Sequence, residues 1–236
     1  VAREEKTVAL RIALLLALIL SSPVAYGTGE SFRPSGAEQM IRTGVDDGFA
    51  ADQTLFFTSR WRRAAVLRAL ERSGRYRGMI LGVLAEEGLP RELFYLPMVE
   101  SEYSSTAVSW TGAAGLWQLM PQTARVMGLE VSDRVDERLD PVKSTRAALR
   151  HLKDLRANCG DWTSALAAYN CGAAVVSAVQ GKRRAAFPEE TRLYVPRFVA
   201  AVQVGRNPRK YGYHPRYDPP MRMPDSDGVL PPEIPS

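Results

Sequence analysis

Tyr76, Met79, Ile80, Val83 and Leu84 recur at i, i+3, i+4, i+7 and i+8, one apolar stripe of a helix. Gly88 ends that pattern and Pro90 opens the next, the usual order of helix stop and helix start. The stretch 61–71 predicts a helix ahead of it. Its neighbouring arginines, Arg60, Arg62, Arg63, Arg68 and Arg72, share no face and read as solvated. After Pro90, Leu93-Phe94-Tyr95-Leu96-Pro97-Met98-Val99 forms an unbroken apolar run, which predicts a helix buried on all sides that ends at Glu100-Ser101. Between 104 and 121 the periodicity breaks. Ser104-Ser105-Thr106 and Thr111-Gly112-Ala113-Ala114-Gly115 are small and polar and allow close backbone approach. A short helix over 122–126 stops at Gly128, 133–140 is a charged loop, and Pro141 opens a longer helix with Ala148, Leu149, Leu152 and Leu155 inward. Asp161 caps another, in which Trp162, Ala165, Leu166 and Tyr169 share a face. A last helix over 191–204 turns Val195, Phe198, Val199 and Val202 inward, with Pro196 in its first turn or at a kink. No run alternates with period two, so the predicted domain is all-α.

The two ends follow different rules. Lys6 and Arg11 flank the nine-residue apolar run 12–20, and the small, turn-prone stretch 21–27 follows, the layout of a secretory signal peptide over 1–27. The run is shorter than the roughly 20 apolar residues a spanning helix needs. No cysteine follows it, so lipid attachment there is not expected. Residues 28–51 read as a flexible lead-in, 52–206 as the folded domain, and 207–236 as an extended, poorly ordered tail, since eight of the sixteen prolines fall in its last 29 positions.

Composition adds exclusions. Of 236 residues, 45% are hydrophobic and 24% charged, which supports a sizeable core. The net charge of +5 suits an anionic polymer, but no compact basic stripe with interleaved aromatics is present, so no nucleic-acid partner is expected. Cys159 and Cys171 are separated by a helix that holds its ends roughly 14 Å apart, beyond the reach of a disulfide, so two free, largely buried thiols are expected. With His151 the one histidine near them, a metal site lacks ligands and none is expected.

The candidate chemistry begins at Glu100. A carboxylate at the end of a buried helix either emerges into solvent or has its pKa raised by burial, and the second case suits a general acid near neutral pH. Glu102 lies at the same helix end, and periodicity does not choose between the two.

Four motifs stand in order: Glu100-Ser101, Gly115-Leu116-Trp117-Gln118, Ala168-Tyr169-Asn170, and Glu190-Thr191-Arg192-Leu193-Tyr194-Val195. Together they resemble the lytic transglycosylase catalytic (SLT) domain of the goose-type lysozyme superfamily. Leu89-Pro90, Val135-Asp136-Glu137-Arg138, Asp140-Pro141 and Tyr194-Val195-Pro196 are similar to its membrane-bound lytic murein transglycosylase D group. The resemblance covers roughly 50–213 and implies an all-α, lysozyme-like helical domain with a substrate groove. It selects Glu100 as the single acid/base and Tyr169 as the phenol that orients it. It implies substrate contacts at Ser101, Gly115, Leu116, Trp117, Gln118, Asn170, Glu190 and Tyr194. It implies cleavage, without cofactor, of the β-1,4 bond between N-acetylmuramic acid and N-acetylglucosamine in peptidoglycan glycan strands, with 1,6-anhydromuramic ends. Hydrolysis of the same bond by water, or a non-catalytic wall-binding scaffold, are the alternatives. The signal peptide and the substrate agree on a secreted, periplasmic protein with no stable membrane insertion after cleavage.

Overall fold

A computed structural model describes residues 47–181 and 186–221. The expected signal peptide and most of the lead-in lie outside the described residues. Among those described, the secondary structure is helical, with isolated bridges and no extended strand. The helices are α1 (Asp47–Thr58), α2 (Arg63–Glu86), α3 (Leu96–Glu100), α4 (Pro121–Val126), α5 (Pro141–Cys159), α6 (Trp162–Cys171), α7 (Ala173–Gln180) and α8 (Glu189–Arg206). None is long and apolar enough to cross a membrane.

The stripe from Tyr76 to Leu84 is buried on α2, as its spacing predicts. The apolar run divides: Arg91–Tyr95 is a 3-10 turn, and α3 completes it with Pro97 in its first turn, where the missing N–H costs nothing. Leu93, Phe94, Leu96 and Met98 are fully enclosed, packed among α2, the 3-10 turn and α8. Asp140 accepts from the N–H groups of Val142 (2.8 Å) and Lys143 (2.9 Å) at the start of α5, and Asp161 accepts from Ser164 N–H (2.8 Å) at the start of α6. Pro196 sits well inside α8 and is buried, so that helix forgoes one internal hydrogen bond and is held by its packing on α1 and α6.

Four features depart from the sequence-based expectation. Helix α1 begins at Asp47, inside the expected lead-in. Helix α7 has no counterpart in the reading above; Ala173–Gln180 is short and buries only Val176. It is tied back to α6 by Gln180 Nε2 donating to Ser164 Oγ at 3.1 Å. The tail is packed as far as Met221: the Tyr213 hydroxyl is buried and donates to the Phe57 carbonyl (2.6 Å), and the N–H groups of Asp218 and Met221 donate to the carbonyls of Glu71 (2.9 Å) and Arg75 (2.8 Å) on α2. Prolines limit helix and sheet, but they do not prevent an extended strap from bonding across a helix. Finally, no disulfide joins Cys159 and Cys171, as expected, yet both are only partly buried against the core rather than largely buried.

Candidate active site

Helix α3 ends at Glu100 because the backbone cannot continue. Ser101 N–H and Tyr103 N–H both turn back to the Pro97 carbonyl (3.0 and 3.1 Å), and Glu102 and Tyr103 take left-handed φ values of +52° and +57°. That conformation is costly for side chains with a Cβ. It is held by Arg72, whose Nε and Nη2 donate to the Glu102 carbonyl (2.8 and 2.6 Å), and by Arg62, whose Nη2 meets the Glu102 carboxylate at 2.7 Å. The turn therefore separates two carboxylates that spacing alone could not rank. Glu102 is swung onto two arginines at the surface. Glu100 stays inside.

Glu100 keeps some accessible surface as a residue, but its carboxyl group is packed closely. Burial raises its pKa from the ordinary 4.5 to about 7; the hydrogen bond from Tyr194 opposes the rise and the charge of Glu190 adds to it. The Tyr194 hydroxyl, 4% exposed on α8, donates to Glu100 Oε1. The phenol hydrogen-bonded to Glu100 is therefore Tyr194, not the expected Tyr169. Tyr169 does point inward, but its hydroxyl donates to the Trp117 carbonyl at 2.8 Å, because α6 brings it against the turn 115–119. Burial pushes both phenols well above their ordinary range, so both remain donors at neutral pH.

The second motif builds the wall beside Glu100 more than it lines a groove. Leu116 and Trp117 are wholly buried, which corrects their expected role as substrate contacts; Trp117 Nε1 donates to Thr145 Oγ1 at 2.8 Å, a core hydrogen bond. Gly115 has φ +79°, and a Cβ there would overlap the Arg138 carbonyl oxygen, so only glycine fits. Ser101 Oγ donates to the Leu116 carbonyl (2.8 Å), which fastens the end of α3 to this turn. Gln118, at φ +46°, gives its amide nitrogen to the carbonyls of Gly115 (2.9 Å) and Ala107 (3.1 Å). Neither bond uses its side-chain oxygen. Asn170 Oδ1 accepts from Thr191 Oγ1 (2.8 Å), joining the third motif to the fourth, and Glu190 stands exposed at the start of α8.

One structural residue of the site escaped the sequence reading. The Arg138 side chain is 8% exposed, and its guanidinium pairs in two-pronged fashion with Asp136 (2.8 and 2.7 Å). It also donates to the carbonyls of Gly112 (2.6 Å) and Leu119 (3.0 Å). It thereby clamps the loop 107–119 onto the loop that precedes α5. Its signal was present as the Asp-x-Arg spacing, without a role attached. Among the described residues no cluster of His, Cys, Asp and Glu could hold a metal.

Residues 83–191 match the Transglycosylase SLT domain family. Membrane-bound lytic murein transglycosylase D of Escherichia coli K12 is 34% identical over 163 residues, 64% of this chain and 34% of that protein. A protein of Alteromonas sp. strain M-1, provisionally named for tributyltin chloride resistance, is 39% identical over 94 residues, 39% of this chain and 45% of its own. This chain thus spans about a third of the length of the first relative and under half of the second. The crystal structure of the 70 kDa soluble lytic transglycosylase of Escherichia coli superposes with a TM-score of 0.50 at 23% identity, over 57% of this chain and 24% of that one, a likeness of fold.

Proposed function

We propose that the chain is a peptidoglycan lytic transglycosylase, a reading that starts from the match of residues 83–191 to the transglycosylase SLT domain family. It cleaves the β-1,4 bond between N-acetylmuramic acid and N-acetylglucosamine and leaves 1,6-anhydromuramic ends. The observation that carries this reading is the Glu100 carboxyl, buried, raised to about 7 and held by one phenol. At neutral pH such a group is divided between its two forms, so it can give a proton and take one back.

The chemistry needs one carboxylate in two roles. Protonated Glu100 delivers its proton to the bridging oxygen as that oxygen leaves C1 of the muramic sugar. The muramic N-acetyl carbonyl oxygen stabilises the positive charge developing at C1. Glu100, now a carboxylate kept in place by Tyr194, removes the proton from the same sugar's C6 hydroxyl, and O6 attacks C1. The proton balance closes without water. Glycosidases with two working carboxylates set them a few ångströms apart across the bond, and substrate assistance is the known exception. Glu102 is committed to Arg62 and Arg72. Glu190 is exposed, and its charge acts on Glu100 only to raise its pKa.

Influence from Glu190 does favour one second reading, hydrolysis by a water that Glu190 activates. Purified cell wall separates the readings by the mass of the released muropeptides. Anhydro ends support transglycosylation, water-added ends support hydrolysis, and release of nothing refutes both. The location we infer is periplasmic, supported by the charged flank and apolar run at 12–20 and by a substrate that lies outside the cytoplasm. Recovery of the uncleaved chain in salt-washed membranes would show that run to be an anchor instead.

A further inference from the structure

A second concavity lies at the other end of the helical run that carries Glu100. It has a volume of about 260 Å³ and is lined by Arg77 and Leu81 of α2, Arg91, Glu92, Phe94 and Tyr95 of the 3-10 turn, and Arg206 at the end of α8. From Arg91 to Glu100 the chain rises roughly 15 Å, so this cavity is separate from the acid. Three arginines face one carboxylate. Glu92 is buried and paired with Arg206. Arg77 and Arg91 have no acidic partner among the described residues. Arg77 is held with its guanidinium over the Phe94 ring, 5.4 Å from the centroid, which orients its planar fork in advance. Tyr95 closes the wall. A Cβ on Gly205 would overlap its ring, so the cavity's shape depends on glycine at that point of α8.

We propose that this cavity is an anion site that takes a small organic carboxylate, held by Arg77 and Arg91, with its apolar body against Leu81, Phe94 and Tyr95. A planar guanidinium matches a carboxylate through two parallel hydrogen bonds. The walls select against a bare inorganic anion, because phosphate would leave Leu81, Phe94 and Tyr95 facing water. Buried Glu92 in the lining opposes a dianion more than a monoanion. The volume falls just below the ~300–1,000 Å³ usual for drug-sized ligands, so it admits a molecule of amino-acid size or the end of a longer one. Burial pushes the Tyr95 phenol up, which keeps its hydroxyl a donor.

The test uses the full chain and three probes: N-acetylalanine, its neutral amide, and inorganic phosphate, each titrated while the arginine side-chain N–H signals are followed by NMR. N-acetylalanine should bind saturably in the millimolar range and the amide should not. Arg91→Gln and Arg77→Gln should each weaken binding by roughly tenfold. Both variants should melt near the parent temperature and keep glycan cleavage, so the result is independent of the catalytic reading. Equal binding of the amide, equal binding of phosphate, or unchanged affinity in Arg91→Gln overturns the proposal. Sedimentation with wall material then identifies the source. A loss in Arg91→Gln with peptide-bearing sacculi, but not with peptide-stripped glycan, assigns a peptide end. No change, with N-acetylalanine still bound, assigns a free acid.

Discussion

Replacing Glu100 by glutamine should stabilise the protein at alkaline pH, although it abolishes cleavage. The carboxyl is raised from 4.5 to about 7 in the fold, chiefly by burial. A raised pKa means that the folded state holds its proton after the unfolded chain has lost it. Wild-type stability from this group is therefore complete below about pH 4.5 and is lost as the pH rises to 7. A shift of about 2.5 units corresponds to about 3 kcal/mol. Glutamine keeps an oxygen to accept from Tyr194 but brings an amide nitrogen in need of an acceptor, a cost of about 1 kcal/mol. The variant should thus gain about 2 kcal/mol at pH 8, a rise in melting temperature of roughly 4–8 °C for a domain of this size. At pH 4 the wild-type carboxyl is neutral, so the gain should disappear and the variant should be slightly the less stable. Thermal unfolding of both proteins from pH 4 to 8 measures the crossing. A stability difference that does not vary with pH would refute the reasoning, because Glu100 would then titrate as an ordinary exposed carboxyl.

Four further outcomes are expected. Tyr194→Phe removes the hydrogen bond that lowers the Glu100 pKa, so the alkaline limb of the pH–rate profile should move up while activity falls on the order of tenfold. Tyr169→Phe should leave that limb in place and cost about 1–3 kcal/mol in unfolding, since it strands the Trp117 carbonyl; a shifted limb in this variant would restore Tyr169 as the orienting phenol. Gly115→Ala, forced to overlap the Arg138 carbonyl at positive φ, should lower stability by about 3 kcal/mol or more, readable as loss of soluble protein or a melt lower by roughly 6–12 °C. Glu190→Gln removes the repulsion that raises Glu100, so the alkaline limb should move down with anhydro products retained, whereas loss of all cleavage would assign Glu190 a direct part.

Legibility of the fold tracked how local its causes were. The stripe on α2, the proline starts of α4 and α5 and the aspartate caps of α5 and α6 are one-turn causes, and each element lies where spacing put it. Helix α7 and the strap 213–221 have causes that lie elsewhere in the chain. The strap is held by N–H groups reaching carbonyls of Glu71 and Arg75 and by a buried phenol on Phe57, partners more than a hundred residues away. Nothing in a proline-rich stretch announces them. The same divide separates the two tyrosines. Periodicity put Tyr169 on an inward face, and it is inward. An inward face does not specify which acceptor the hydroxyl meets, and the docking of α6 on the turn 115–119 gave it the Trp117 carbonyl.

That choice of acceptor belongs to a wider arrangement. Ser101, Tyr169, Gln118 and Arg138 all donate to backbone carbonyls between Ala107 and Leu119. Leu116 and Trp117 pin the same segment from beneath, and Gly115 lets it approach Arg138. Most of the motif side chains thus hold one irregular loop, whose carbonyls would otherwise lack partners away from water. Under the proposed function the groups left for substrate are few: the Glu100 carboxyl with Tyr194, the oxygen of Gln118, and exposed Glu190. A motif of this kind reports the scaffold more than the contacts, since a loop without regular pairing needs many specific donors and an acid needs few neighbours. Substitutions among the loop holders should accordingly lower stability and activity together. Changes at Glu100, Tyr194 and Glu190 should move activity and its pH dependence in a protein that still folds.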